Sequence, residues 1–313
     1  MSASARSNPS SGGAAVLPDL EELLVLRGLA QGLAMRARRS ARILPAGAHH
    51  SSQRGRGLEF QEVRPYVPGD DPRSIDWRVT ARRGRAHTKL FREERERPVW
   101  LLVDLSPAMY FGTRGQLKSA VAVRAAALLA WVSVLGSDRV GAVICAAGEC
   151  RVLPPRLREA GVLPLLAALV ELQPRSPGVP RPRSLESALG TLAGLARAGS
   201  VILAVSDFAE LDSAAHAQWS ALRARSACRL FWVCDPIEER ALPNGRFRGG
   251  LPGRLRILDG AHVRARWLES WGRRKSEVEA LARLLAAPLV RLDTSAPVHS
   301  LLAPELAPSG PIA

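Results

Sequence analysis

Oxygen-bearing side chains follow two apolar segments of the sequence, at the point where each segment ends. Asp104 and Ser106 come directly after the run Val99–Val103, and Asp207 comes directly after the run Val201–Val205. In doubly wound α/β sheets, ligands bind at the carboxyl ends of strands, near the point where the strand order reverses. Carboxylates and hydroxyls in such loops suit a hard cation such as Mg²⁺. These residues are therefore a candidate metal site; the alternative is that Asp104 and Ser106 only hydrogen-bond loop amides and cap a helix.

Other reactive side chains form no recognisable catalytic pattern. The acids Asp70, Asp71 and Asp76 have no accompanying nucleophile and base, and no P-loop motif is present. The cysteines form no C-x-x-C pair and lie in or beside apolar runs, so we expect buried, reduced thiols. We therefore expect a protein that is not an enzyme. A metal-dependent hydrolase that uses Asp104 and Asp207 is the weaker alternative.

The positive charge of the chain raises the question of nucleic-acid binding. The formal net charge is +15, and only Lys89, Lys118 and Lys275 among the 44 basic residues are lysines. Heavy use of Arg, Ala, Gly and Pro is typical of a bacterial, GC-rich genome, and the basic residues are spread along the chain without a base-stacking aromatic platform. We expect no specific nucleic-acid partner, and an Arg-rich nucleic-acid-associated protein remains the alternative. An acidic protein or an anionic surface is equally compatible with the charge.

Hydrophobic periodicity predicts strands that alternate with helices, which favours a doubly wound, mostly parallel sheet. An amphipathic helix is predicted from Asp19 towards Met35, and a Gly/Pro/Arg-rich hairpin within Leu242–Asp259. The other predicted helices are Arg114–Leu135, Leu157–Leu172, Leu185–Arg197, Ser213–Arg225 and Ser270–Leu285. The other predicted strands are Val99–Val103, Arg139–Ala146, Glu149–Leu153, Val201–Val205, Cys228–Cys234 and Leu289–Leu292.

Composition divides the chain into four parts. Residues 1–18 are rich in Ser, Gly and Ala and are predicted to be disordered. Residues 19–97 hold the first helix, a linker and a small region of short strands and a turn, to which Trp77–Ala81 is assigned. The α/β domain occupies 98–295, and 296–313 is a loosely attached tail.

Two further features bear on the compartment of the protein. The longest apolar runs, Val162–Val170 and Val121–Leu135, are too short or are interrupted by Arg124, so no membrane span is predicted. The N-terminus lacks the pattern of a secretory signal. We therefore expect a cytoplasmic protein.

Four spaced blocks in the N-terminal part carry a family resemblance. They are Arg54–Phe60, Tyr66–Asp71, Ile75–Trp77 and Lys89–Glu94. In this order the blocks resemble the domain-of-unknown-function 58 family, and the resemblance spans roughly Arg54 to Ser295. The motif positions are Gly57, Glu59, Phe60, Tyr66, Pro68, Gly69, Asp70, Asp71, Asp76 and Trp77. We interpret them as structural, with Asp76 and Trp77 in a packed corner, and direct contact with a partner is the alternative.

The resemblance implies both a fold and a partner. In the family, these blocks precede a von Willebrand factor A-like domain, here residues 98–295. The first strand of that domain normally ends in D-x-S-x-S, the start of a metal-ion-dependent adhesion site. The family's genes typically neighbour a MoxR-type AAA+ ATPase. The resemblance thus implies a protein-interaction adaptor that works with such an ATPase in a chaperone-like assembly or maturation system, and other von Willebrand factor A proteins are further candidate partners.

The sequence departs from the family pattern at two metal-ligand positions. Ala108 stands at the second serine of D-x-S-x-S, and Arg183 stands where the family has a threonine. We expect that Arg183 pairs with Asp104 or Asp207, so that the cleft holds no metal. The alternative is weak Mg²⁺ binding through Asp104, Ser106, Asp207 and waters.

Overall fold

The computed structural model describes two compact units of the chain. One unit contains residues 1–47 and 97–313, and the other contains residues 48–96. The residues described are 17–39, 58–67, 72, 75–93, 96–113, 115–147, 149–176, 184–209, 211, 213–251 and 254–305.

Helices and strands alternate through most of the described chain. The helices are α1 (Leu20–Arg39), α2 (Trp77–Arg83), α3 (Lys118–Leu135), α4 (Glu159–Leu172), α5 (Ser184–Leu195), α6 (Ser213–Arg223), α7 (Pro236–Arg240), α8 (Gly260–Leu285) and α9 (Val298–Glu305). The strands are β1 (Leu58–Pro65), β2 (His87–Glu93), β3 (Pro98–Asp104), β4 (Arg139–Ala146), β5 (Glu149–Arg156), β6 (Ser200–Ser206), β7 (Ser226–Cys234), β8 (Arg246–Leu251), β9 (Arg254–Asp259) and β10 (Leu289–Asp293).

A six-stranded sheet organises the larger unit. Its strand order is β10-β7-β6-β3-β4-β5. All neighbouring strands are parallel except β4 and β5, which form an antiparallel hairpin. From β3 the chain first extends the sheet through β4 and β5, and it then returns to the other side of β3 for β6. The order therefore reverses between β3 and β6, which confirms the predicted doubly wound fold.

The central strands are buried on both faces, as their continuous apolar runs predict. Side chains alternate across β3, where Val99, Leu101 and Val103 face one core cluster and Trp100 and Leu102 face the other. Helices α1, α3, α4 and α9 cover the first face, and α5, α6 and α8 cover the second. The carboxyl ends of the parallel strands meet at one edge of the sheet.

Helix α3 is the most buried helix of the larger unit. It has the length and the apolar composition of a membrane-spanning helix, and among the described residues it alone does so. However, 83% of its residues are buried inside the protein, between the sheet and α1, α4 and α9. A core helix meets the same length and composition criteria, so α3 gives no separate indication of a membrane span.

Two terminal segments pack more closely on this unit than the sequence predicts. Helix α1, predicted as part of the small N-terminal region, packs on α3 instead, where the Trp131 indole donates a hydrogen bond to the Leu23 carbonyl at 3.1 Å. Residues after Ser295 were expected to be loosely attached. In the structure, Val298 and Leu302 of α9 are buried in the first core cluster because their spacing places them on one helix face.

The smaller unit contains an antiparallel pair, β1 and β2, and the short helix α2. The prediction of a strand-like segment at Trp77–Ala81 was wrong, since these residues lie in α2. Asp76 caps this helix by accepting hydrogen bonds from the amides of Arg78 and Val79 at 3.0 and 3.1 Å. Gly84 ends the helix in the left-handed conformation (φ 67°).

The region between β7 and β10 forms the predicted hairpin. Strands β8 and β9 pair in antiparallel fashion from Arg246↔Asp259 to Leu251↔Arg254. Helix α8 follows at once and is longer at its N-terminus than the prediction, because the Asp259 side chain caps it by accepting from two amides.

Candidate functional site

The structure brings together the predicted site residues that it describes. Asp104 ends β3, Ser106 follows two residues later, and Asp207 follows β6, the neighbour of β3 in the sheet. All three are buried, with 8%, 5% and 4% of their surface exposed. They lie at the carboxyl edge of the sheet, at the reversal of strand order, as the sequence predicts.

Asp104 is held by the polar groups around it. One carboxylate oxygen accepts from the Ser106 amide at 2.9 Å, and the other accepts from the Ser206 hydroxyl at 2.8 Å. Burial, together with the nearby negative charge of Asp207, raises the pKa of the Asp104 carboxyl to about 6. The charged form of Asp104 is therefore disfavoured, both by burial and by the second acid nearby.

Asp207 is compensated by a buried lysine. The Lys118 ammonium lies 2.7 Å from Asp207 Oδ2 and 3.1 Å from Glu238 Oε1, and the lysine is 2% exposed. Burial opposes ionisation of Asp207, but the Lys118 charge outweighs it and holds the pKa of Asp207 below its usual value. Burial likewise opposes the charge of Lys118, yet Asp207 and Glu238 raise its pKa. The three groups form a buried ion network, extended by Arg274, whose guanidinium is 3.3 Å from Glu238.

The loop between β3 and α3 places Lys118 at this edge. Lys118 is the first residue of α3, and its amide donates to the Phe111 carbonyl at 2.7 Å. At Gly112 a Cβ atom would lie 2.3 Å from the Gln116 carbonyl oxygen, so the tight path of the loop requires glycine. Thr113 anchors the loop by donating to Asp235 from both its amide and its hydroxyl, at 2.8 and 2.5 Å.

Asp235 joins three loops at the same edge of the sheet. It follows β7, is fully buried, and accepts from Thr113, from the Ile237 amide at 3.0 Å and from the Thr294 hydroxyl at 2.7 Å. Burial opposes its ionisation, but these donors hold the pKa of the Asp235 carboxyl below its usual value. Asp235 also caps α7, and the Glu238 carboxylate of that helix accepts a hydrogen bond from the Asp235 amide at 2.9 Å.

Sequence reasoning missed Lys118, Asp235 and Glu238 as site residues. A signal for Lys118 existed, because it is one of three lysines in a chain that otherwise uses arginine. The Asp-Pro-Ile-Glu run after an apolar strand is a signal for a helix cap at the sheet edge. Neither signal indicates that these residues meet Asp207, because that contact depends on the tertiary fold.

The donor set does not fit a resident divalent cation. A cation bound by Asp104, Ser106 and Asp207 would need their side-chain oxygens to point at one shared position that the ion can occupy. Asp207 Oδ2 instead contacts a positively charged ammonium at 2.7 Å, and Ala108, in the short 3₁₀ turn Pro107–Met109, offers no side-chain oxygen. Within the described ranges, no group of three or more His, Cys, Asp or Glu residues is arranged to hold a metal ion. The predicted partner of the acids, Arg183, lies outside the described residues.

The family-motif residues lie mostly in the smaller unit. Glu59 and Phe60 are in β1, and Tyr66 follows it, with its amide bonded to the Ala86 carbonyl at 2.8 Å. Asp76 caps α2, but the adjacent Trp77 is 70% exposed, so Trp77 is not the packed side chain that we expected. The motif positions Gly57, Pro68, Gly69, Asp70 and Asp71 lie outside the described residues.

The strand order and the polar edge together define the class of the protein. The larger unit is a von Willebrand factor A-like, doubly wound α/β domain, as the family resemblance implies. Residues 62–249 match the family described as protein of unknown function DUF58. Since this match covers more than half of the chain, the protein belongs to that family.

Several known proteins are similar to this chain. Uncharacterized proteins of Mycobacterium tuberculosis and Mycobacterium bovis are 39% identical over 110 residues, which cover 35% of this chain and 35% of each relative. The match thus spans about a third of the relatives' length. A conserved hypothetical protein, BatB, of Bacteroides thetaiotaomicron has a similar structure (16% identity, TM-score 0.45, 67% of this chain and 97% of that one). So does a von Willebrand factor type A protein of Catenulispora acidiphila (10% identity, TM-score 0.39, 70% and 42%).

Proposed function

We propose that the protein is a non-enzymatic adaptor that binds a MoxR-type AAA+ ATPase in a chaperone-like assembly or maturation system. The observation that carries the proposal is the buried ion network of Lys118, Asp207 and Glu238. This network occupies the sheet edge at which doubly wound proteins usually bind a small ligand. A site filled by its own charged side chains suits a fixed binding surface better than it suits turnover of a substrate. The choice of ATPase rests on the family resemblance.

We also propose that this edge works without a divalent cation, because Lys118 supplies the positive charge. The ammonium contacts Asp207 and Glu238, and the Ser206 hydroxyl and Ser106 amide satisfy Asp104. A cation placed at Asp207 would be repelled by the ammonium unless Lys118 first moved away. Mg²⁺ therefore binds weakly at most.

The smaller unit offers a candidate contact for the partner. Trp77 is 70% exposed, and exposed tryptophans frequently dominate the energy of protein–protein interfaces. Its place in the family motif indicates a role beyond the fold of α2, since a solvent-exposed tryptophan adds little to the core. We propose that Trp77 contacts the ATPase or another von Willebrand factor A protein, in the cytoplasm.

The proposal is tested with the full chain and the MoxR-type ATPase of the same organism. The two proteins should co-purify, and the adaptor should change the rate of ATP turnover. Trp77→Ala should weaken binding by about tenfold or more. Ile257→Ala is the matched control, since Ile257 is also exposed (62%) but lies on the β8–β9 hairpin.

Two results would contradict the adaptor role. One is repeated purification from the native host that never recovers an AAA+ ATPase. The other is hydrolytic turnover that is lost in Asp104→Asn or Asp207→Asn, which would support the metal-dependent hydrolase instead.

A further inference from the structure

Two cysteines face each other in the hairpin that β4 forms with β5, the outermost strand of the large sheet. Cys145 of β4 and Cys150 of β5 are direct partners in the antiparallel register, next to the pair Ala146↔Glu149. Two residues, Ala147 and Gly148, connect the strands, and Ala147 has a positive φ of 49°. Partners in register project from the same face of the sheet, so the two side chains are neighbours.

The hydrogen-bond pattern of the hairpin places the two thiols close together. In antiparallel sheets, pairs that exchange hydrogen bonds alternate with pairs that do not, and the second kind has Cα atoms about 4.5 Å apart. The pair that flanks a two-residue turn is of the first kind, so Cys145 and Cys150 are of the second kind. The Cys145 carbonyl confirms this, since it accepts from the Leu105 amide on the β3 side at 2.8 Å. A separation of about 4.5 Å lies within the range that a disulfide spans.

The two thiols differ in exposure. Cys145 is 1% exposed, whereas Cys150 is half-buried on the edge strand and can be reached from solvent. A hydrogen bond from Cys145, with a smaller one from Ser187 of α5, lowers the pKa of the Cys150 thiol to about 7. Burial instead raises the pKa values of Cys228 and Cys234 to about 12. The hairpin pair therefore differs chemically from the two cysteines of β7.

We propose that Cys145 and Cys150 form a peroxide-sensitive dithiol, in which Cys150 reacts first and Cys145 resolves the product to a disulfide. We expected four buried, reduced thiols, but Cys150 is only half-buried, whereas Cys145, Cys228 and Cys234 are buried. The proposed role follows from a cross-strand pair with one accessible member and one buried member. The adaptor role is not required for it.

The chemistry needs a peroxide as the oxidant. The Cys150 thiolate sulfur attacks one peroxide oxygen, the O–O bond breaks, and the leaving oxygen takes a proton to become water or an alcohol. This step oxidises the sulfur to a sulfenic acid by two electrons and reduces the peroxide. The Cys145 sulfur then attacks the Cys150 sulfur, the S–S bond forms, and the S–O bond breaks. The hydroxyl group leaves as water with the Cys145 proton, and a dithiol reductant reverses the reaction.

The position of the pair gives the oxidation a structural consequence. Cys145 is the register partner of Asp104 in β3, so the disulfide would form one strand away from the candidate site. It would cross-link the edge strand β5 to β4 and replace the contact between Cys150 and Ser187. The carboxyl end of the sheet would thereby lose freedom of movement on the β5 side.

The test uses the reduced full chain, treated with hydrogen peroxide at about neutral pH, then denatured, alkylated and digested with trypsin. Both hairpin cysteines fall in one peptide, Val140–Arg151. We expect this peptide to lose two hydrogen atoms and to escape alkylation, whereas the peptides with Cys228 and Cys234 stay reduced and become alkylated. The hairpin pair should be oxidised at least about tenfold faster than either β7 cysteine. A dithiol reductant should restore both thiols.

Two variants separate the roles of the cysteines. Cys145→Ser should leave a sulfenic acid on Cys150 that a cyclic dione traps, and Cys150→Ser should abolish both the sulfenic acid and the disulfide. Circular dichroism confirms that each variant is folded. Oxidation of Cys228 or Cys234 at the same rate as the hairpin pair would overturn the proposal. So would a Val140–Arg151 peptide that stays fully alkylated, or a disulfide that forms only between molecules.

Discussion

The substitution Lys118→Met removes the ammonium that contacts both Asp207 and Glu238. Methionine keeps most of the volume of the side chain but removes its charge, and so leaves Asp207, 4% exposed, without its closest cation. Removing one partner of a buried ion pair typically costs about 3–5 kcal/mol, because the remaining charge stays desolvated. Arg274 near Glu238 offsets a small part of this loss. We therefore expect the free energy of unfolding to fall by about 3–5 kcal/mol.

A double-mutant cycle assigns this loss to the contact between Lys118 and Asp207. Asp207→Asn in the Lys118→Met background removes the unpaired charge, so the double variant should recover at least about 1 kcal/mol relative to additivity. Lys275→Met is the matched control, because Lys275 is exposed on α8, and it should change stability by less than about 0.5 kcal/mol. Urea unfolding is followed by tryptophan fluorescence, which reports mainly on the larger unit because only Trp77 lies in the smaller one. If Lys118→Met cost no more than Lys275→Met, the buried ion network would be refuted.

Three further predictions concern other parts of the molecule. Because the folded-state pKa of Asp104 is raised from 3.8 to about 6, its contribution to stability is full at low pH and is lost as the pH rises through 6. Unfolding of wild type and Asp104→Asn at about pH 4 and pH 8 should show the wild type losing about 2 kcal/mol relative to the variant, and a constant difference would contradict the raised pKa. Thr294→Val removes a donor to the buried Asp235, so chemical unfolding should show a loss of about 1–3 kcal/mol, while Ser300→Ala at an exposed position should show almost none. Nucleic-acid binding measured by fluorescence anisotropy should be non-specific and should weaken steeply with added salt, so sequence-selective nanomolar binding at physiological salt would be inconsistent with the adaptor role.

The architecture of the larger unit could be predicted from the sequence because each strand is recognisable from the residues within it. Runs such as Val99–Val103 and Val201–Val205 are apolar on every residue, which is a pattern that two-sided burial demands. The prediction failed where one residue outweighed the local pattern. Asp76 caps α2 and so converts the expected strand at Trp77–Ala81 into a helix. The packing of α1 and α9 on α3 depends on tertiary contacts that their own periodicity does not specify.

The candidate site was only partly predictable for the same reason. Asp104, Ser106 and Asp207 follow strands, so their convergence at one edge follows from the parallel topology. Lys118 is separated from Asp207 by 89 residues, and only the path of the loop before α3 brings the two together. The sequence predicted a basic partner for the acids but named Arg183, whereas the structure shows Lys118 in contact with Asp207. Whether Arg183 also contributes stays a prediction, and Arg183→Thr combined with Ala108→Ser tests it by a gain of metal binding.

The central claim is that Lys118 supplies the charge that a metal ion provides in related sites. Isothermal titration calorimetry with Mg²⁺ and Mn²⁺, on wild type and on Lys118→Met, tests this claim most directly. The wild type should show no binding up to about 10 mM cation, because the ammonium repels a divalent ion from Asp207. Lys118→Met should gain binding, since it leaves Asp104, Asp207 and Glu238 as carboxylates without the buried ammonium. Tight binding to the wild type, unchanged in Lys118→Met, would contradict the account.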